Sequence, residues 1–343
     1  MLFTRGKWRL TIVGFTLLAY IPTLPTPFLF DDHAAIERNE SLRRWSFQNL
    51  YSDFHPSADS PWGRSYYRPL QMISHRVDVT IWGMKPMGHH GMNLLLHLLA
   101  ALLLFELVIW IGLSEWAAGI CAVLFGIHPI IVSELLMVSG RPEILSLVFS
   151  LAAILLLTRL SLMSQVIGGL CFLAGLLSKE TALVVPFYVG LVIWIRGGNL
   201  KDGRLGLIVA AILGFYGFLR VESHTATPWA VPLSLLPGFL AARFPLILMR
   251  SAEILIAPWP LYLYRFLPEA QLILGLAAWA LIGGIGMYGL RSNRWMFFGW
   301  VWFIVAWIPK IPVMPGKTHI RAELADDLIR ASSARSGSYK IVT

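Results

Sequence analysis

Charge is scarce in this chain and cysteine nearly absent. Only 14% of its 343 residues are charged against 57% hydrophobic ones, and a mean hydropathy of +0.66 is more apolar surface than a soluble core could bury, which excludes a water-soluble enzyme or binding module. The two cysteines, Cys121 and Cys171, lie inside apolar runs. An isolated thiol there acts as a small buried hydrophobe, so neither a disulfide framework nor a cysteine metal site is expected. Internal repeats, heptads and low-complexity tracts are also missing. The net charge of +9 comes without a compact basic module. Basic residues held at the cytoplasmic face of a membrane account for it, and nucleic acid is not an expected partner.

What is present is a succession of apolar stretches. Arg5, Lys7 and Arg9 precede an apolar run from Leu10 to Leu24 with no small-x-small cleavage site before Pro25. Trp8–Leu24 therefore reads as an uncleaved first span with its basic end in the cytoplasm. Further spans are expected at 93–112, 116–133, 143–158, 165–178, 181–196, 204–221, 271–290 and 295–312. Together they predict an all-α, polytopic integral membrane protein with about nine to ten transmembrane helices. Alternate threading puts Arg159, the Arg196–Arg204 hairpin and Arg291 with Arg294 on the cytoplasmic side, as the positive-inside rule asks. Residues 239–257 carry Arg243, Arg250 and Glu253; a crossing there would invert every later segment, so an interfacial or re-entrant helix is preferred.

Residues 25–90 are too long for a passive link. They are expected to form a large first outer loop with interfacial helices at Leu42–Tyr51 and Tyr66–Trp82. The domain plan is a transmembrane domain over 1–312 followed by a polar tail, 313–343, without repeats. In this threading all nine histidines and most acidic residues fall outside the spans or at their outer ends, with Glu106, Glu115 and Asp202 as exceptions. A proton path or channel would spread ionisable groups through the bilayer. Here they gather on one face, and Glu106 reads as a structural ion-pair partner.

Five clusters on that face carry candidate chemistry. Asp31-Asp32, directly after the first span, could deprotonate a hydroxyl, hold a divalent cation or cap a short helix. Tyr67-Arg68-Pro69-Leu70 sets a guanidinium suited to phosphate beside a rigid proline. His89-His90 leads into Asn93 and His97; His90, Asn93 and His97 are spaced to share one helical face, where imidazoles could donate to a phosphate or ligate a metal. His128-Pro129 and Glu134 precede Gly140-Arg141-Pro142-Glu143, in which Pro142 and Glu143 are helix-start chemistry and Arg141 beside His128 would make an anion pocket. Ser178-Lys179-Glu180 interrupts two apolar runs, with Lys179 available to a phosphate and steadied by Glu180.

In this order, with Phe30 before the acidic pair, Trp82-Gly83, Phe125 and Leu177, these motifs resemble the membrane half of the transmembrane-and-tetratricopeptide-repeat O-mannosyltransferases, multi-span glycosyltransferases of the protein O-mannosyltransferase type. The resemblance covers roughly residues 10–310; the tail Val313–Thr343 matches neither further spans nor repeats. It implies transfer of a sugar, typically mannose, from a polyprenyl-phosphate carrier to a protein Ser or Thr hydroxyl on the non-cytoplasmic side. It also implies a base in the first outer loop, which falls on Asp31 or Asp32. Arg68, His97, His128, Arg141 and Lys179 would then surround the donor phosphate and sugar, supported by Tyr67, His90, Asn93, Glu143 and Glu180. Whether a divalent cation takes part is left open. Direct displacement at the anomeric carbon would invert it. Two alternatives remain: a polyprenyl-phosphate-sugar transferase acting on lipid or cell-wall glycan, and a non-enzymatic membrane scaffold or transporter. The membrane expected is a bacterial plasma membrane more than the endoplasmic reticulum.

Overall fold

Inside lipid a backbone must satisfy its own polar groups, and a chain of apolar runs joined by short links does so by forming helices. In the computed structural model, which describes residues 4–56, 66–198, 203–223, 236–257 and 272–308, every regular element among the described residues is helical. The protein is an all-α, multi-pass membrane protein. Five segments are long and apolar enough to cross a bilayer: Pro86–Trp110, Glu115–Leu136, Val138–Leu157, Gly203–Glu222 and Ile273–Ser292. Leu162–Ser178, Glu180–Ile195 and Arg294–Val305 are apolar but shorter. All eight sit where later spans were expected; among the described residues five suffice by length, which does not confirm the expected count of nine to ten. The tail 313–343 lies outside the described residues.

Helix α1 (Arg5–Tyr20) buries Trp8, Ile12, Thr16 and Tyr20, one residue per turn on a single stripe. Gly119 and Gly126 receive it: a Cβ at Gly119 would lie 2.2 Å from the Trp8 ring, and one at Gly126 2.3 Å from Thr16 Oγ1. Small residues at such a crossing let two helices close without side-chain bulk. At the α1 N-terminus Arg5 pairs with Glu115 at 2.9 Å and Arg9 with Glu106 at 2.6 Å. Two of the three exceptional acids, Glu106 and Glu115, are thus neutralised by the basic N-terminal segment; Asp202 lies outside the described residues. Arg159 and Arg196 stack over Trp110, at 5.4 and 3.9 Å, collecting basic charge around the helix ends there.

The described part of the long first loop is folded. Short turns at His33–Glu37 and Glu40–Arg43 lead to α2 (Phe47–Phe54) and α3 (Pro69–Trp82). The interfacial helix expected over Leu42–Tyr51 is thus split, because Ser46 caps a new helix through its side chain. That over Tyr66–Trp82 forms from Pro69 on, as suits proline in a first turn. Fully buried Arg76 pins the loop: it pairs with Asp53 at 2.7 Å and donates to the carbonyls of Ser41 and Arg44. Burial pushes the Asp53 carboxyl up, and the Arg76 guanidinium opposes that shift. Arg76→Met is therefore expected to cost about 3–5 kcal/mol by leaving a buried carboxylate unpaired. Limited proteolysis of the loop in detergent should read the loss as accelerated cleavage between residues 39 and 68.

The remaining helices are α4 (Pro86–Trp110), α5 (Glu115–Ile127), α6 (Val132–Leu136), α7 (Arg141–Leu157), α8 (Leu162–Ser178), α9 (Val185–Ile195), α10 (Gly203–Glu222), α11 (Leu236–Gly238), α12 (Phe244–Ile256), α13 (Leu272–Ser292) and α14 (Arg294–Val305). Helix α7 runs through the core, with Leu151, Ile154 and Leu157 packed in one cluster with Phe172 and Leu176 of α8 and Val185, Val189 and Val192 of α9.

Candidate active site

The chain leaves α1 through a turn at Ile21–Thr23 and reaches Phe30, whose φ of +47° is the one left-handed value at a non-glycine among the described residues. That turn separates two adjacent carboxylates. Asp32 is fully buried: the Leu29 and Val138 amides donate to Oδ2 at 3.1 Å each and the Ser139 amide to Oδ1 at 2.7 Å. Asp31 is exposed. The side chain of neither caps the short helix that follows; Asp31 contributes its carbonyl, to the amides of Ala34 and Ala35.

Asp32 thereby ties the first loop to the turn Val138–Gly140 that opens α7. The next residue is Arg141, wholly buried, with its guanidinium engaged throughout. It pairs with Asp78 of α3, Nε donates to Asn93 Oδ1 at 2.7 Å, and the terminal nitrogens donate to the carbonyls of His89 at 3.0 Å and Ser74 at 3.3 Å. Four partners saturate the fork, so the structure places Arg141 as the hub joining α3, α4 and α7. Around it, burial together with the charge of Arg141 and neighbouring His89 pulls the His75 pKa well below its usual value. Desolvation raises that of Asp78 against the pull of Arg141.

His90, Asn93 and His97 do share a face of α4, and that face meets a break. The helical path breaks at His128-Pro129 between α5 and α6 and stops again after Leu136, and both ends leave carbonyls without an intrahelical donor. His90 Nδ1 donates to Leu135 O at 2.9 Å, Asn93 Nδ2 to Glu134 O at 3.2 Å and His97 Nε2 to Gly126 O at 3.0 Å. His128 lies apart from the Arg141 hub, accepting from the Ile130 amide through Nδ1 while Nε2 faces the Leu255 carbonyl of α12 at 3.1 Å.

A second group forms where α8 ends. Lys179 pairs with Glu143, two residues beyond Arg141 in the first turn of α7. Arg68 lies 3.8 Å from Glu180 and stacks over Tyr66 at 4.3 Å. Burial pulls the Lys179 ammonium below its usual pKa, with Glu143 working the other way. Tyr67 is buried beside Tyr216, its phenol pushed up to about 12 by burial, and Arg220 of α10 lies over its ring at 5.6 Å. Next to this group is a cleft of about 270 Å3, walled by Ile144, Leu147, Leu151, Ile154 and Trp302, with Glu134, Glu143, Ser146, Thr181 and His97 among its polar lining. Tyr188 stacks on Trp302 at 3.9 Å along one wall. The cleft is thus lined mostly by apolar side chains, with the carboxylates Glu134 and Glu143 among them.

The expected site residues therefore gather into two adjoining clusters bridged by the first turns of α7. Asp32, His90, Asn93 and Arg141 belong to one; Arg68, Glu143, Lys179 and Glu180 form the other, with Tyr67 beneath. Asp78, His75 and Glu134 were not among the expected site residues. The i, i+3 spacing of His75 and Asp78 on a helix opened by Pro69 was the available signal for the first two.

Three relatives set this arrangement in context. Human protein O-mannosyl-transferase TMTC3 is 34% identical over 153 residues, 43% of this chain and 16% of the relative. Drosophila melanogaster protein O-mannosyl-transferase Tmtc1 is 32% identical over 180 residues, 50% of this chain and 21% of the relative. Human protein O-mannosyl-transferase TMTC1 is 28% identical over 226 residues, 62% of this chain and 24% of the relative. The chain thus spans only a minor part of the length of each relative. No family model matches it, and no solved structure does. Over the segment they share with it, the chain is similar to these protein O-mannosyl-transferases.

Proposed function

We propose that this chain transfers a sugar, mannose by likeness to its relatives' names, from a polyprenyl-phosphate carrier to a Ser or Thr hydroxyl of a protein at the non-cytoplasmic face. The observation that carries this reading is the apolar cleft lined in part by Glu143, whose ion-pair partner is Lys179, with Arg68 paired to the neighbouring Glu180. An isoprenoid tail suits the apolar wall, and the carrier phosphate suits these cations. As the glycosidic bond to phosphate breaks, negative charge grows on the leaving oxygen, and Lys179 and Arg68 stabilise it. The acceptor hydroxyl loses its proton to Asp31, the exposed member of the acidic pair. Asp32 holds that turn against the start of α7, and attack from the face opposite the phosphate inverts the anomeric centre. The end bearing Arg5, Arg9, Arg159 and Arg196 is then cytoplasmic by the positive-inside rule. The site faces the periplasm or exterior from a bacterial plasma membrane, or the lumen of the endoplasmic reticulum; the relatives named above come from animals and lend no weight to the bacterial alternative.

The test is labelled polyprenyl-phosphate mannose offered to the full chain in vesicles of known orientation, with peptide acceptors outside or enclosed. Lys179→Met is expected to lower transfer by about 10²-fold, the usual effect of removing one donor to a developing oxyanion. The wild-type rate should fall at alkaline pH, because above its lowered pKa Lys179 is neutral and the phosphate loses its counter-charge. Lys179→Arg keeps its charge and should carry activity to higher pH. Label appearing on lipid and not on peptide would favour the glycolipid alternative. Transfer unaffected by Lys179→Met would remove the cleft from the mechanism.

A further inference from the structure

We propose that His75, Asp78 and His89 bind one divalent transition-metal ion, zinc by the chemistry of its ligands, between α3 and α4. The inference stands on these residues alone and does not depend on sugar transfer.

His75 and Asp78 lie three residues apart on one face of α3. Gly83, at φ +61°, then turns the chain back so that His89, in the first turns of α4, meets them. One ligand atom from each lies within 4.8 Å of the other two, and all three side chains are fully buried. A tetrahedral ion with bonds of ~2.0–2.1 Å sets its ligand atoms about 3.4 Å apart, a contraction within reach of small side-chain rotations.

The polar bookkeeping calls for a positive species at this spot. His75 Nδ1, His89 Nδ1 and Asp78 Oδ1 are buried without a hydrogen-bond partner, which native interiors rarely tolerate. His89 Nε2 lies 2.9 Å from the Gly83 carbonyl. A carbonyl only accepts, so Nε2 carries the ring proton and Nδ1 of the neutral ring presents a lone pair. That lone pair faces Asp78 Oδ2 at 3.4 Å, acceptor against acceptor. An ion held by Nδ1 and by the free Oδ1 of the same carboxylate replaces this repulsion with ligation.

The surroundings are those of a ligand shell. Metal-binding imidazoles donate their other N–H to a carbonyl or carboxylate, as His89 does to Gly83. His75 Nε2 lies 3.4 Å from the Gln71 amide nitrogen, which also donates to the Ser139 carbonyl at 3.3 Å. Arg141 holds Asp78 Oδ2 and so orients the carboxylate, leaving Oδ1 for the ion. Asp78 and Asp32 both act on Arg141; two carboxylates against one guanidinium leave an excess negative charge that a divalent cation meets. Imidazole nitrogen with one carboxylate suits zinc among the common divalent ions.

The experiment is metal analysis of the full chain purified in detergent without chelator, followed by cobalt(II) substitution and visible absorption. About one zinc per chain is expected, falling below about a tenth in His75→Ala. His89→Cys supplies a thiolate in place of a nitrogen. It should keep cobalt while adding an intense thiolate-to-cobalt band in the near ultraviolet, which a merely structural histidine would not produce. Should His75→Ala fail to fold, the wild-type metal content and the His89→Cys spectrum still decide. A wild-type chain with no stoichiometric zinc or cobalt after incubation, or a His89→Cys spectrum without that band, overturns the site and leaves a protonated His89 bridging Gly83 and Asp78.

Discussion

Asp31→Asn is expected to reduce sugar transfer by about 10²–10⁴-fold, the span that loss of a positioned general base produces, while leaving yield and detergent stability unchanged. The side chain is exposed and makes no hydrogen bond or ion pair among the described residues that an amide would break. Asp32→Asn should behave differently. Its carboxylate receives three backbone amides, and an asparagine offers one acceptor oxygen with an NH2 group turned toward an N–H donor. The cost is about 1–3 kcal/mol for the donor left unsatisfied, and transfer falls through displacement of the Phe30 turn. Transfer rate and thermal unfolding measured side by side on the two variants separate a base from a positioning residue. An Asp31→Asn chain with full activity would withdraw Asp31 from the reaction.

Arg141→Met should give the largest loss of stability of any single change in the site. It leaves Asp78 charged and fully buried without its partner, and it strips donors from Asn93 Oδ1 and the carbonyls of His89 and Ser74. Breaking such a pair costs about 3–5 kcal/mol, a large part of the 5–15 kcal/mol that holds a typical domain together. Little monodisperse protein is then expected on size-exclusion chromatography. Arg141→Lys should not rescue it, because one ammonium cannot replace a planar fork serving three elements. Lys179→Met, whose pair with Glu143 is only part-buried, should elute as wild type. If Arg141→Met were stable yet unable to bind donor, the arginine would belong with the phosphate after all.

The apolar runs and their polar joints determined the helical, membrane-embedded class by themselves, because lipid allows few other ways to satisfy a backbone. The positions of eight later helices followed, and so did the pairing of Glu106 with a basic neighbour. The shared face of His90, Asn93 and His97 was likewise legible, since helical spacing is local. Their partners were not: the Gly126 carbonyl becomes available because the chain breaks at His128-Pro129, and those of Glu134 and Leu135 because α6 ends at Leu136. Asp31 and Asp32 are equivalent in sequence, and one left-handed residue, Phe30, together with the amides of Val138 and Ser139, makes one exposed and the other buried. Tertiary structure alone brought Asp78 to Arg141 and His89 to His75, since a fork of donors or a ring of ligands is completed by segments far apart in the chain, and no local periodicity records which distant turn will close it.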